Sequence, residues 1–232
     1  MTVVPFDSYA RRIAAEGLTV RGAFHVEEAD AVPDLGGGAG ERTLILIGNA
    51  GSSFWPAFAL SPEYRDGEPD PLDRWSERVI TQLAHAIDAC PLFPFGGPPY
   101  HPFQRWARRA ESVYPSPLGT LVHPEYGPWH AYRGALVVDG RLEGLPAGSG
   151  APSPCLSCAA QPCLHACPVG AFSGEGFDVG ACSGHLSGPS ECRDRGCLAR
   201  NACPAGKPFR YVREQHRFHL AAFLRARQVG GE

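Results

Sequence analysis

Eight of the nine cysteines in this 232-residue sequence fall between residues 155 and 204: Cys155, Cys158, Cys163, Cys167, Cys182, Cys192, Cys197 and Cys203. Two of them run directly into proline, as Cys167-Pro168 and Cys203-Pro204. The first run reads C-x2-C-x4-C-x3-C-P and the second, looser, C-x9-C-x4-C-x5-C-P. Thiolates are soft ligands, and eight of them suffice for two four-thiolate iron–sulfur sites. Structural zinc also takes four thiolates, but a Cys-Pro pair is no part of its pattern and the x2, x4, x3 run crowds too many sulfurs. Disulfides suit small secreted domains. Residues 1–18 carry Asp7, Arg11, Arg12 and Glu16 and no apolar run, so no leader is read there and a cytoplasmic location is expected.

The two Cys-Pro endings resemble the half-sites of bacterial ferredoxins. In that pattern the first three cysteines of a run hold one cubane and the cysteine before proline holds the other. The resemblance therefore implies a crossed assignment: Cys155, Cys158, Cys163 and Cys203 on one 4Fe-4S cluster, Cys182, Cys192, Cys197 and Cys167 on the second. The remaining cysteine, Cys90, is read as a buried thiol without a ligand role.

These ligands need elements to hold them. Residues 6–16 read as a short amphipathic helix and 18–26 as a strand. The glycine-rich stretch 34–40 reads as a flexible loop. Residues 42–47 read as a central strand, and Gly48-Asn49-Ala50-Gly51 as the turn after it. That turn is not a dinucleotide fingerprint, because it lacks the third glycine and the spacing. Asp70-Pro71 opens a helix, with Asp as N-cap and Leu72, Trp75, Val79, Ile80, Leu83, Ala84 and Ile87 along one face. Residues 90–95 carry prolines and suit only an edge strand. A second helix covers 103–112, with Arg105, Arg108 and Arg109 near one face, either as an anion site or as a solvated surface. Residues 119–130 form a strand entering an aromatic loop, and 133–139 a buried strand. Residues 145–154 are a Gly/Pro/Ser linker. Asp178 is placed to cap a short helix carrying Cys182, and 209–227 reads as a final helix. His216 and His219 lie at i, i+3 on it, with no third ligand beside them.

The 28 glycines and 23 prolines point to many loops, and no apolar run approaches the roughly 18 residues of a membrane span. The net charge of −3 is uneven: from residue 193 onward nine Lys/Arg face three Asp/Glu, a net +6 that leaves −9 for the rest. An acidic chain lacks a general drive onto nucleic acid. The basic end fits charge compensation of a cluster or docking of an acidic electron donor.

Residues 119–138 (GTLVHPEYGPWHAYRGALVV) resemble a stretch of the cobalamin-processing (cblC-type) proteins, which carry a His-Pro, a Gly-Trp and an Arg-Gly before a Val/Leu strand. Here these are His123-Pro124, Gly127 and Trp129 with Pro128 between them, Arg133-Gly134 and residues 136–138. The layout of the cysteines, with Cys167-Pro-Val-Gly-Ala171, a lone Cys182, then Cys192, Cys197 and Cys203, is similar to epoxyqueuosine reductase. That family joins a related cobalamin-binding domain to a two-cluster module. Two departures separate this sequence from it. Residues 92–110 contain no acid where that family places its proton-donating Asp, and its helical-repeat domain has no counterpart here. Epoxyqueuosine reduction is therefore not carried over, and a proton, where one is needed, would come from water, Tyr100 or His101.

The resemblance implies an α+β fold: a mixed sheet with flanking helices, cobalamin-binding and nitroreductase-related, in residues 1–150. A small ferredoxin-like iron–sulfur module follows in 151–208, and a C-terminal helix in 209–232. It further implies a corrinoid faced by Gly48 and Asn49 from the turn and by His123, Tyr126 and Trp129 from the loop. Electrons from a donor protein would pass through the two 4Fe-4S clusters to cobalt in a monomeric oxidoreductase. The competing reading is a plain electron carrier whose first 150 residues only dock or support.

Overall fold

The computed structural model describes residues 6–35, 40–173 and 176–229, so most of the expected 34–40 loop lies outside the described residues. Along the chain the elements are α1 (Phe6–Ala15), β1 (Thr19–His25), β2 (Arg42–Ala50), α2 (Trp55–Leu60), α3 (Pro62–Arg65), α4 (Pro71–Ala86), β3 (Ala89–Leu92) and α5 (Phe103–Ala110). They continue with β4 (Tyr114–Pro115), β5 (Leu121–Val122), β6 (His130–Asp139), α6 (Pro162–His165), β7 (Phe172–Ser173), β8 (Gly176–Phe177), α7 (Val179–Ser187), α8 (Glu191–Arg195), α9 (Leu198–Ala202) and α10 (Arg213–Val229). The chain is mixed α and β and divides into two compact units, one of residues up to 112 with 130–150, the other of 113–129 with 151 onward.

The first unit is a four-stranded sheet in the order β1-β2-β6-β3 with helices flanking it. Every neighbouring pair is antiparallel, so the sheet is not mixed as the sequence suggested. The reason for the difference is burial. Leu44, Ile45, Leu46 and Ile47 of β2 and Ala135 and Leu136 of β6 have no exposed surface. Continuous apolar runs of that kind are the signature of parallel strands covered on both faces. Here helices cover both faces of an antiparallel sheet instead.

α4 forms where the apolar spacing predicts, burying Leu72, Trp75, Val79, Ile80, Leu83 and Ala84 against the sheet. Pro71 stands in its first turn, but Asp70 adopts a left-handed conformation (φ 49°) and its side chain makes no capping bond. Trp75 joins Phe54, Trp55, Phe58 and Tyr64 in an aromatic cluster with ring separations of 5.2–6.3 Å. β3 is an edge strand, as Pro91 requires, and alternation along it turns Cys90 outward. Cys90 is exposed, which corrects the expectation of a buried thiol: the strand has one covered face, and Cys90 is on the other.

Two of the α5 arginines are held by protein partners, while Arg108 is exposed, as the solvated alternative has it. Arg109 ion-pairs with Glu27 and Asp30 at 2.8 and 2.7 Å, and Arg105 donates to the Asp30 carbonyl. They clamp the 3-10 turn Glu28–Asp30, which also accepts a bond from the buried Trp106 indole.

The second unit begins with the hairpin β4–β5 and its aromatic loop, then runs through the cysteine stretch to α10. α6 packs on α9, and α7 and α8 pack on α10. Asp178 caps α7 by accepting from the Ala181 amide at 2.8 Å. α10 starts at Arg213, four residues later than expected, because Lys207–Phe209 forms a 3-10 turn around Pro208. Among the described residues no helix is long and apolar enough to cross a membrane.

Candidate metal centres

The eight clustered cysteines all lie in the second unit, on or beside its short helices. Cys155 and Cys158 sit in the turn before α6, which carries Cys163, and Cys167 follows it by two residues. Cys182 is on α7 and Cys192 on α8, while Cys197 and Cys203 are the N-cap and C-cap residues of α9. All nine cysteines are free thiols.

The thiols raise one another's pKa in two separate sets. Cys203 is influenced by Cys163, Cys155 and Cys158, and Cys163 by Cys155 and Cys158. Cys182 is influenced by Cys197, Cys167 and Cys192, and Cys192 by Cys167. Within these relations no thiol of one set perturbs a thiol of the other. The membership is the crossed one: each run's first three cysteines meet the last cysteine of the other run.

The crossing has a local cause. α6 and α9 pack together. Each joins the two sets, α6 with Cys163 inside it and Cys167 just beyond, α9 with Cys197 at its start and Cys203 at its end. Six residues of helix rise about 9 Å at about 1.5 Å each, so α9 holds the two centres a short hop apart. Cys163, Ala199 and Leu118 are buried together, with Leu164, Cys167, Phe172 and Cys197 packed around them.

Cys167, Cys182, Cys192 and Cys197 line one recess, whose other walls are Pro168, Val169, Phe172, His185, Leu186, Leu198 and Ala199. Burial, then the neighbouring thiols, pushes the Cys182 thiol up to about 11. Burial raises Cys155, Cys163, Cys192, Cys197 and Cys203 as well. Amide donors oppose this: Leu198 at Cys192, Arg200 and Ala199 at Cys197, and Ala205 at Cys203 favour the thiolate form and lower these values. The Ala171 amide donates to Cys167 Sγ at 3.3 Å. A low-dielectric pocket whose thiols repel one another as anions, yet are met by N–H donors, suits a cationic centre that neutralises four thiolates at once.

Among the described residues no group of three or more His, Cys, Asp or Glu side chains is placed to hold a metal ion. A single tetrahedral ion at about 2.3 Å from each sulfur would draw the sulfurs to roughly 4 Å apart. In a cubane each thiolate holds a different iron, so its four ligands stand wider.

The residues expected to face a corrinoid fall in both units. Gly48 and Asn49 belong to β2, which continues to Ala50 where a turn was expected. A side chain at Gly48 would overlap the Ala131 carbonyl. Asn49 is buried and spends its amide on the Gly51 carbonyl at 2.8 Å. In the second unit, His123 accepts the Glu125 and Tyr126 amides at Nδ1 and stacks on Tyr126 with ring centres 4.3 Å apart. Tyr126 meets the edge of Phe209, and Trp129 has no exposed surface, held between Tyr211, His216 and Arg200. Arg200 donates to the Pro128 carbonyl and lies over both Trp129 and Tyr211. Burial, with Arg200 and Arg210 nearby, lowers His216 to about 4, so it is a neutral core ring. His219 lies 3.4 Å from the Gln215 amide.

One acid escaped the sequence reading. The window 92–110 ends one residue short of Glu111, which is part-buried in the first unit against Arg21 and Tyr132. Arg21, with no exposed side-chain surface, donates to Glu111 at 2.9 Å, and Tyr132 donates to it at 2.5 Å. Burial raises the Glu111 carboxyl more than Arg21 lowers it, and raises Tyr132 too. No linear signal marks this group, since its members are 90 and 21 positions apart. His101 stacks on Trp106, and Tyr100 is exposed.

No protein-family model matches this sequence, and no curated protein matches it either.

Proposed function

We propose that this chain is an iron–sulfur electron-transfer protein. Cys155, Cys158, Cys163 and Cys203 would hold one 4Fe-4S cluster, and Cys167, Cys182, Cys192 and Cys197 a second. The observation that carries this is the recess lined by Cys167, Cys182, Cys192 and Cys197, which brings the last thiol of one run to the first three of the other. Bound there, such clusters supply one-electron transfer at low potential, tuned by hydrogen bonds, burial and net charge.

The chain's own residues do the rest. Backbone amides of Ala171, Leu198 and Ala205 stabilise the thiolates. Phe172, Leu186 and Ala199 wall the second recess from water. α9, anchored at both ends by ligands, fixes the separation that an electron must cross. Exposed Arg193 on α8 and exposed Arg213, which donates to the Asp194 carbonyl of the same helix, put positive charge on the helix of Cys192, a favourable setting for an acidic donor.

The acceptor follows from resemblance alone, which points to a corrinoid and to a fold of the cobalamin-binding, nitroreductase-related kind. Gly48, Asn49 and Trp129 are engaged in protein contacts, so no step is routed through that group. Anaerobic purification with iron and sulfide analysis tests the clusters: about eight irons per chain are expected, and iron-free protein refutes the proposal. Titration with cob(II)alamin separates the two acceptor readings. A spectral change supports the corrinoid-linked oxidoreductase; an unchanged spectrum with intact clusters leaves the electron carrier.

A further inference from the structure

We infer that His185 donates a hydrogen bond from Nε2 to the centre held by Cys167, Cys182, Cys192 and Cys197 and raises its reduction potential relative to the other centre. The inference rests on the iron–sulfur reading above and adds a residue whose effect is read separately.

His185 lies three residues after Cys182 on α7, and helix geometry puts i and i+3 on one face. It lines the recess with the four cysteines, and it is the one polar side chain there besides the thiols. Its Nε2 is buried and has no hydrogen-bond partner among the described residues, thiol sulfurs included. An orphaned buried ring nitrogen is costly and rare in a folded chain. Its partner is therefore whatever occupies the recess. A lone water would need two to four polar partners of its own, and the other walls are apolar. A cluster presents inorganic sulfides and thiolate sulfurs as acceptors.

An N–H donor aimed at cluster sulfur stabilises the extra negative charge of the reduced state more than the oxidised state. One electron enters the cluster, the ring keeps its N–H in both states, and no proton moves. His165, on α6 between Cys163 and Cys167, is exposed and provides a contrast within the same unit.

The test uses the full chain, purified anaerobically, in redox titrations followed by electron paramagnetic resonance. In His185→Leu, one of the two midpoint potentials is expected to move to a more negative value while the other stays. His185→Gln keeps an N–H donor and is expected to shift less, and His165→Leu is expected to move neither. The reduced wild type should also show an exchangeable-proton coupling that disappears in deuterated buffer and is absent from His185→Leu. If His185→Leu fails to hold its second cluster, the potential and the proton coupling of His185→Gln decide. Variants retaining iron with both potentials and the proton coupling unchanged would overturn the role of His185. Wild-type protein without iron would instead sink the iron–sulfur reading itself.

Discussion

Gly127 and Gly206 close on one another so tightly that neither has room for a side chain. A Cβ at Gly127 would overlap the Ala205 carbonyl, and one at Gly206 the Tyr126 carbonyl; both have positive φ, 57° and 68°. This contact fastens the aromatic loop 123–129 to the segment that follows Cys203-Pro204. It explains why residues 113–129 belong with the cysteine stretch, whereas the sequence grouped them with the strands before the linker.

Gly127→Ala and Gly206→Ala should each destabilise the second unit by about 2–4 kcal/mol, combining left-handed strain with overpacking. Gly119 has φ 71° but open space around it, so Gly119→Ala should cost only about 1 kcal/mol. Urea midpoints of the three variants measure this; equal losses at all three sites would refute the steric account.

The crossed quartets make a pairing prediction. Cys203→Ala should remove the same spectroscopic signal as Cys155→Ala, and Cys167→Ala the same signal as Cys182→Ala, each leaving about four irons of eight. If Cys167→Ala instead matched Cys155→Ala, the ligands would follow sequence order and the assignment would be uncrossed.

Arg21 and Glu111 form a buried pair, so removing one partner strands the other. Glu111→Gln or Arg21→Met should cost about 3–5 kcal/mol, while an apolar replacement of both should recover most of it. Tyr132→Phe removes one donor to the carboxyl and should cost about 1–2 kcal/mol. A double-mutant cycle by denaturant unfolding reads the coupling, and additive losses would exclude it.

Acid stability should depend on Glu63. Its bond to Arg78, at 2.5 Å, lowers the carboxyl below its usual value near 4.5, against the opposing effect of burial. A depressed folded-state value means stability present above about pH 4.5 and lost as pH falls through the lower, folded value. Unfolding midpoints between pH 3 and 7 should therefore drop less steeply for Glu63→Gln than for the wild type. Arg78 is 40% exposed, so solvent keeps the difference modest. Parallel curves would show that the pair does not contribute.

Several elements were legible because their determinants are local. The repeat of Leu72, Trp75, Val79, Ile80 and Leu83 specifies α4, Asp178 caps α7, and Pro91 confines β3 to an edge. Strand direction was not legible. β2 and β6 are buried on both faces, and burial looks the same whichever way a neighbour runs. Nor was the outward aim of Cys90, which depends on the covered face of the edge strand.

The amino-acid order alone determined which thiols are available and, through Cys-Pro spacing, that they come in two runs of four. Ligand type and short-range spacing are properties of a few consecutive residues. Only the tertiary structure decided that α6 lies on α9, that His185 lines the recess of Cys167, Cys182, Cys192 and Cys197, and that Glu111 meets Arg21 and Tyr132. Those relationships join residues tens of positions apart, and the packing free energy that brings them together is spread over the whole core and written in no single stretch of chain.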